Sequence, residues 1–123
     1  MENKKIIWLG RVISGLALIP FIPSVMMKFS SNPQTIEGMN KMGIPVSLIT
    51  ILAILELTSM LFYLIPQTAI LGAILLTGYL GGAILTHLRI GEAVPIQVAL
   101  GVLVWLGLYL REPRLRQLLP IRK

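Results

Sequence analysis

Three observations predict an all-α membrane protein, a transmembrane up-and-down four-helix bundle. The 123-residue chain is 55% hydrophobic and only 13% charged, with a mean hydropathy of +0.83. A soluble domain carries about 25% charged residues, so too few remain here to cover a water-facing surface, and lipid must cover most of it. The apolar residues fall in long runs that lack the alternation of barrel strands. Helices and closed barrels are the only folds that satisfy every backbone group in lipid. Finally, the later runs are joined by connections short enough to make them antiparallel neighbours. The length fits one domain over residues 1–123.

Span one is predicted over about residues 6–27. It holds Arg11 early, then Pro20 and Pro23. Each proline removes a backbone hydrogen bond and can kink a helix. The favoured reading is a bend filled by neighbours, against a hinge or an opened backbone lining a cavity. Lys4 and Lys5 precede this run as in a signal peptide. The run is long for an h-region and no small-residue cleavage site follows, so a retained span is expected.

Residues 28–45 read as a loop containing a short amphipathic helix at the membrane surface. Asn32 and Pro33 supply an N-cap and a first helical position, and Gly43 and Pro45 a stop. Ile36, Met39 and Met42 share one face, with Glu37 and Lys41 off it. Span two is predicted over 46–65, followed by the tight turn Pro66-Gln67. Span three, over 68–88, carries Gly72, Gly78, Gly81 and Gly82. The Gly78–Gly82 pair is a small-xxx-small step, and together with Gly72 it predicts a close helix approach. Span four, over 95–110, starts at Pro95 and is a little short for a full crossing. In the tail, Pro113 starts a brief interfacial segment in which Leu115, Leu118 and Leu119 are expected to face lipid.

The net charge is +6. The basic residues cluster beside the spans, which fits topology and contact with membrane lipids; no aromatic–basic interleaving suggests nucleic acid. Four spans put both termini on one side, with Lys4, Lys5, Arg111, Arg114, Arg116, Arg122 and Lys123. The other side holds Lys28, Lys41 and Arg89. This bias predicts a multi-pass cell-membrane protein with both termini cytoplasmic. Cysteine is absent. That removes disulfides, thiolate catalysis, Fe–S clusters and Cys-ligated zinc, and with them four-helix quinone reductases built on a CxxC pair.

Glu56 stands in an otherwise uncharged run, and a carboxylate near the bilayer centre needs a partner, a proton or water. At 1.5 Å rise per residue it lies about 13 Å from the cytoplasmic end of its span, Arg11 about 8 Å and Tyr79 about 16 Å. Arg11, Glu56 and Tyr79 are therefore expected in one buried polar cluster. Two readings stand: a structural ion pair that fixes helix register, or a protonatable group in a ligand pocket. A second polar set gathers at the outer face: Lys28, Thr86, His87, Arg89, Glu92 and Gln97. Tyr79, Ala83, Thr86, His87 and Ile90 share one helix face by steps of three and four. Arg89 and Glu92 read as anchors, and His87 as a binding residue. One histidine without paired carboxylates is a poor ligand set, so no metal is predicted. Phosphate loops, nucleophile elbows and zinc helices are absent. Catalytic residues are not identified.

Several segments resemble one family. They are Gly10-Arg11-Val12 with Gly15, Met27-Lys28-Phe29, Leu55-Glu56-Leu57, Gly78-Tyr79-Leu80-Gly81-Gly82, Thr86-His87-Leu88-Arg89-Ile90-Gly91, and the tail from Leu110 to Arg116. In these the sequence resembles the DoxX-like membrane proteins. The resemblance implies a four-helix membrane fold and matches at Arg11, Lys28, Glu56, Tyr79, Gly82 and His87. It departs at Pro20 to Ser24, where relatives carry a glycine near the lysine. Related proteins are implicated in a thiosulfate:quinone oxidoreductase, in membrane oxidative-stress assemblies and in receptor assembly.

The favoured function is an accessory or binding protein for a lipid-like or quinone-like molecule, or for a membrane redox complex, without activity of its own. Quinone is the one cofactor considered. Arg11, Glu56, Tyr79, Thr86, His87, Lys28 and Gln97 are the ligand-binding or buried polar candidates. The alternatives are an assembly partner acting through the Gly78–Gly82 face and, ranked lower, a small proton-coupled transporter. A membrane or redox protein partner and a homodimer both stay open.

Overall fold

The computed structural model describes residues 4–30 and 32–122. Among the described residues six α-helices form: α1 Lys4–Leu18, α2 Phe21–Ser30, α3 Pro33–Lys41, α4 Val46–Leu64, α5 Ala69–Arg89 and α6 Pro95–Arg111. Short 3-10 turns occupy Pro66–Thr68 and Pro113–Gln117. No strand occurs among the described residues. α1 and α2 together make the first rod, and α4, α5 and α6 the other three. The result is the expected up-and-down bundle. Lys4–Ser30, Val46–Leu64 and Pro66–Arg89 are long and apolar enough to cross a membrane, while Pro95–Arg111 is apolar but shorter.

The first rod is broken rather than continuous. Pro20 has no N–H, and its ring would collide with the preceding turn of a continuing helix. The chain instead turns through hydrogen bonds from Ile19 N to the Leu16 carbonyl (3.3 Å) and from Ile22 N to the Ile19 carbonyl (3.2 Å). Pro23 falls in the first turn of α2, where a missing N–H has no intrahelical partner to lose. The bend is filled, because Leu18 and Phe21 on either side of it are both buried. It also redirects packing. α1 lies against α6, whereas α2 lies against α4; α4 packs on α5 and α5 on α6, which closes the ring.

Close approaches decide the spacing within that ring. A Cβ on Gly72 would overlap the Tyr63 backbone, so α4 and α5 touch there main chain to main chain. Across the bundle, a Cβ on Gly107 would stand 2.5 Å from the Ser14 hydroxyl, and one on Gly10 would stand 2.6 Å from Arg111 N. α1 and α6 therefore meet through two glycines. Gly78 and Gly82 do not take part, since nothing lies within 4 Å of a Cβ at either. The small-xxx-small step points out of the bundle, which corrects the expectation that it packs within it.

Tyr63 ties three rods together. Its hydroxyl donates to the Val104 carbonyl at 2.6 Å and lies 3.0 Å from the Ser14 hydroxyl. Arg111 donates from Nη2 to the Tyr63 carbonyl at 2.6 Å, with its guanidinium carbon 4.6 Å from the Tyr63 ring centre. Around this knot the core is formed by Ala17, Leu18, Phe21, Val25, Met60, Ala73, Leu76, Leu80, Val104 and Leu108. The outer surface is equally apolar: Leu16, Ile51, Ile54, Leu61, Leu71, Ile74, Leu85 and Val102 are exposed. Water would not tolerate so extensive an uncovered apolar surface, and lipid covers it without cost. This is a membrane protein.

α3 forms as expected. The Asn32 side chain accepts from Gln34 N at 2.8 Å, Pro33 opens the helix, and Gly43 turns the chain at φ +80°. Ile36, Met39 and Met42 are half-buried, while Glu37 and Lys41 are exposed. In the tail, Leu115 is buried against the expectation that it faces lipid. The Glu112 side chain caps the turn by accepting from Arg114 N at 3.3 Å, which folds Leu115 inward.

Candidate functional site

Glu56 is 1% exposed at the middle of α4 and lies in a closed polar cluster. One carboxylate oxygen, Oε1, receives three donors. These are Lys28 Nζ at 2.9 Å, Tyr79 Oη at 3.0 Å and Ser24 Oγ at 3.2 Å. Lys28 Nζ also donates to Ser24 Oγ at 2.6 Å and stands 5.6 Å from the centre of the Tyr79 ring. Lys28 is itself buried, at 6% exposure. The cluster draws on α2, α4 and α5, and Lys28 and Glu56 cancel in charge. Burying a lone carboxylate this deeply would be prohibitive, and the pair with its added hydrogen bonds makes it tolerable.

Arg11 is not the partner of Glu56. It is exposed and sits over the Trp8 ring, 5.4 Å from its centre. The reason lies in helix direction. A Cα–Cβ bond tilts toward the N-terminus of its helix. Lys28 near the end of α2 therefore reaches back into the bundle, past Ser24, which is one turn earlier. Glu56 in antiparallel α4 leans toward that same end. Arg11 in α1 leans the opposite way, toward the end that carries the N-terminus. Counting depth from Cα positions alone hides these opposed tilts, and they move Lys28 from the outer set into the core of the site.

The rest of the expected polar stripe is satisfied locally. Thr86 Oγ1 donates to the Gly82 carbonyl at 2.6 Å. His87 Nδ1 lies 2.7 Å from the Ala83 carbonyl, which puts a proton on Nδ1. Both bonds stay within α5, and neither residue joins the Glu56 cluster. Among the described residues no group of three or more His, Asp or Glu side chains could hold a metal.

The larger open space lies on another face. α5 and α6 bound an open groove of about 640 Å³, which Leu119 and Pro120 of the tail also line. Its walls are Leu80, Gly81, Ile84, Val98, Gly101 and Val102, with Trp105 and Tyr109 further along. Thr77 and Gln97 add polar groups, and Trp105 Nε1 donates to Thr77 Oγ1 at 2.7 Å. Gln97 is the one expected binding residue on this groove, and Glu56 does not line it. A second, smaller cleft of about 70 Å³ is lined by Arg11, Pro66, Ala69, Leu108, Arg111 and Glu112.

Sequence reasoning passed over Ser14, Ser24, Tyr63 and Arg111. Ser24 carried a usable signal, being one helical turn from Lys28. Tyr63 carried none, because an aromatic residue in an apolar run is ordinary core.

The model of the DoxX-like family matches residues 12–108, most of the chain, and the chain belongs to that family. Among curated proteins and among solved structures no match is found.

Proposed function

We propose that this DoxX-like protein is a binding or accessory protein of the membrane that holds a lipid-like molecule, a quinone being the redox-active case, in the α5/α6 groove. The observation that carries the reading is the groove's size and lining. Small-molecule sites are mostly apolar spaces of about 300–1,000 Å³ with a few placed polar groups, and this one has about 640 Å³. From Gln97 to Tyr109 it follows twelve residues of α6, or about 18 Å, a length suited to an extended chain. Gln97 and Thr77 offer the amide and hydroxyl that a carbonyl or headgroup of the ligand would meet.

The same reading gives Glu56 a structural part. Its Oε1 is taken by Lys28, Tyr79 and Ser24 within the fold. A carboxylate so engaged is poorly suited to proton-coupled transport, which lowers that alternative. An assembly role keeps one observation in its favour: Gly78 and Gly82 face outward with nothing over them, as a helix of another protein would require for close approach.

Gly101→Leu tests the groove. Among the described residues outside its own helix, a Cβ at Gly101 meets Leu80 Cδ1 alone, at 3.8 Å, so a larger side chain fits the helix and projects into the groove. The protein is purified in mild detergent, extracted with organic solvent, and the extract analysed by mass spectrometry. Wild type should yield a stoichiometric isoprenoid or acyl-chain molecule that Gly101→Leu lacks. Equal yields from both would refute the groove as the site. Loss of a copurifying protein in Gly82→Leu, with ligand content unchanged, would favour assembly instead.

A further inference from the structure

The small cleft brings together two arginines that lie a hundred residues apart in the chain. α1 and α6 touch at Gly10, where a Cβ would stand 2.6 Å from Arg111 N and 2.9 Å from Arg111 Cβ. Arg11, the next residue, and Arg111 thus flank one space of about 70 Å³, walled also by Pro66, Ala69, Leu108 and Glu112. This is the end of the bundle where α1 begins, α6 ends and the α4–α5 turn lies.

Neither arginine belongs to an ion pair among the described residues. Arg11 is held by stacking on Trp8 and is otherwise exposed. Arg111 is held by the Tyr63 carbonyl and ring, while its Nε is buried without a hydrogen-bond partner. The one carboxylate in the wall, Glu112, already accepts from Arg114 N at 3.3 Å and Arg114 Nε at 3.4 Å. Two like charges therefore line one cleft, each held by neutral groups, with the nearby acid turned to a third arginine. The arrangement leaves an anion to be supplied from outside.

We propose that the Arg11–Arg111 cleft binds the phosphate group of an anionic membrane lipid. Guanidinium forks match phosphate oxygens in pairs. Basic pockets between spans, at headgroup level, suit anionic lipid headgroups. A water molecule occupies about 30 Å³ of liquid, so the cleft has room for a phosphate group but not for a whole headgroup. Trp8 marks this level too, since tryptophan favours the membrane–water boundary. Apolar side chains that could receive acyl chains, Leu9, Val12 and Ile70, are exposed on α1 and at the start of α5. The site is separate from the α5/α6 groove and does not depend on it.

The test uses the full chain in nanodiscs of phosphatidylcholine doped with phosphatidylglycerol, with retained lipid counted by native mass spectrometry after gentle detergent release. Wild type should retain one phosphatidylglycerol in preference to phosphatidylcholine. Arg11→Gln should lower that retention about tenfold, the scale of one lost charge-assisted contact. Arg11 is exposed, so this variant should fold; Arg11→Lys should restore retention in part. Arg122→Gln, a tail charge outside the cleft, should change nothing. Unchanged retention in Arg11→Gln, or an equal loss in Arg122→Gln, would overturn the proposal. So would inorganic phosphate at millimolar concentration displacing the lipid completely, since the cleft would then be a site for free phosphate.

Discussion

Lys28 Nζ lies 2.9 Å from Glu56 Oε1 inside the bundle, with both side chains almost wholly shielded. This contact settles how a carboxylate can occupy the middle of an apolar helix. The charge is matched by the far end of the first rod, across the α2/α4 boundary, and is locked by Ser24 and Tyr79. Because α2 follows the break at Pro20 and packs on α4 rather than on α6, the pair also fixes where α2 lands on α4.

Breaking the pair should be more damaging than removing it. Lys28→Met alone strands a buried carboxylate, and Glu56→Gln alone strands a buried ammonium; each should cost about 3–5 kcal/mol. The double variant Lys28→Met/Glu56→Met should regain most of that loss, because two apolar side chains replace two opposed charges. Reversible unfolding in mixed detergent micelles measures this cycle. Simple additivity of the single losses would show that the two residues do not depend on each other.

Two glycines on α5 should behave in opposite ways. Gly72→Ala forces a methyl group into the Tyr63 backbone and should lower stability by about 1–3 kcal/mol, the range for overpacking. Gly78→Ala meets open space and should be neutral or stabilising by up to about 1 kcal/mol, through helix propensity. Thermal unfolding followed by circular dichroism compares them directly.

Tyr63→Phe should cost about 1–3 kcal/mol, since it leaves the buried Val104 carbonyl without its side-chain donor and removes the neighbour of Ser14. Tyr79→Phe should cost less, because Glu56 keeps Lys28 and Ser24. Equal losses from the two would contradict the ranking.

Orientation can be read with single cysteines, since the chain has none of its own. The positive-inside bias predicts both termini in the cytoplasm. A cysteine at Gln117 should then react with an impermeant maleimide only after the cells are opened, and one at Asn40 should react in intact cells. The reverse pattern would invert the bundle.

Much of the fold was legible because its signals are local and strong. Long apolar runs, Pro66 at a tight turn, Pro95 at a helix start and the Asn32-Pro33 cap each act within a few residues. The Glu56–Tyr79 contact was also within reach of simple depth counting. The Lys28 contact was not, because it depends on side-chain tilt and on the break at Pro20, and both act between elements. The glycines teach the same lesson. Spacing identified Gly78 and Gly82 as a small-residue step, but spacing does not say which face of α5 meets a neighbour. The face was decided by Gly72 against Tyr63, a contact set by the turn at Pro66. Arg111 read as one more tail charge until α6 was packed against α1.

We propose that the lipid-like ligand lies between α5 and α6, and that Glu56, neutralised inside the fold by Lys28, takes no part in holding it. Photolabelling with a diazirine-bearing isoprenoid quinone analogue tests this most directly, with labelled peptides located by mass spectrometry. Label is expected on the α6 face that carries Val98, Val102 and Trp105, lost in Gly101→Leu and retained in Lys28→Met/Glu56→Met. Label concentrated around Ser24, Lys28 and Glu56, and lost in that double variant, would contradict it.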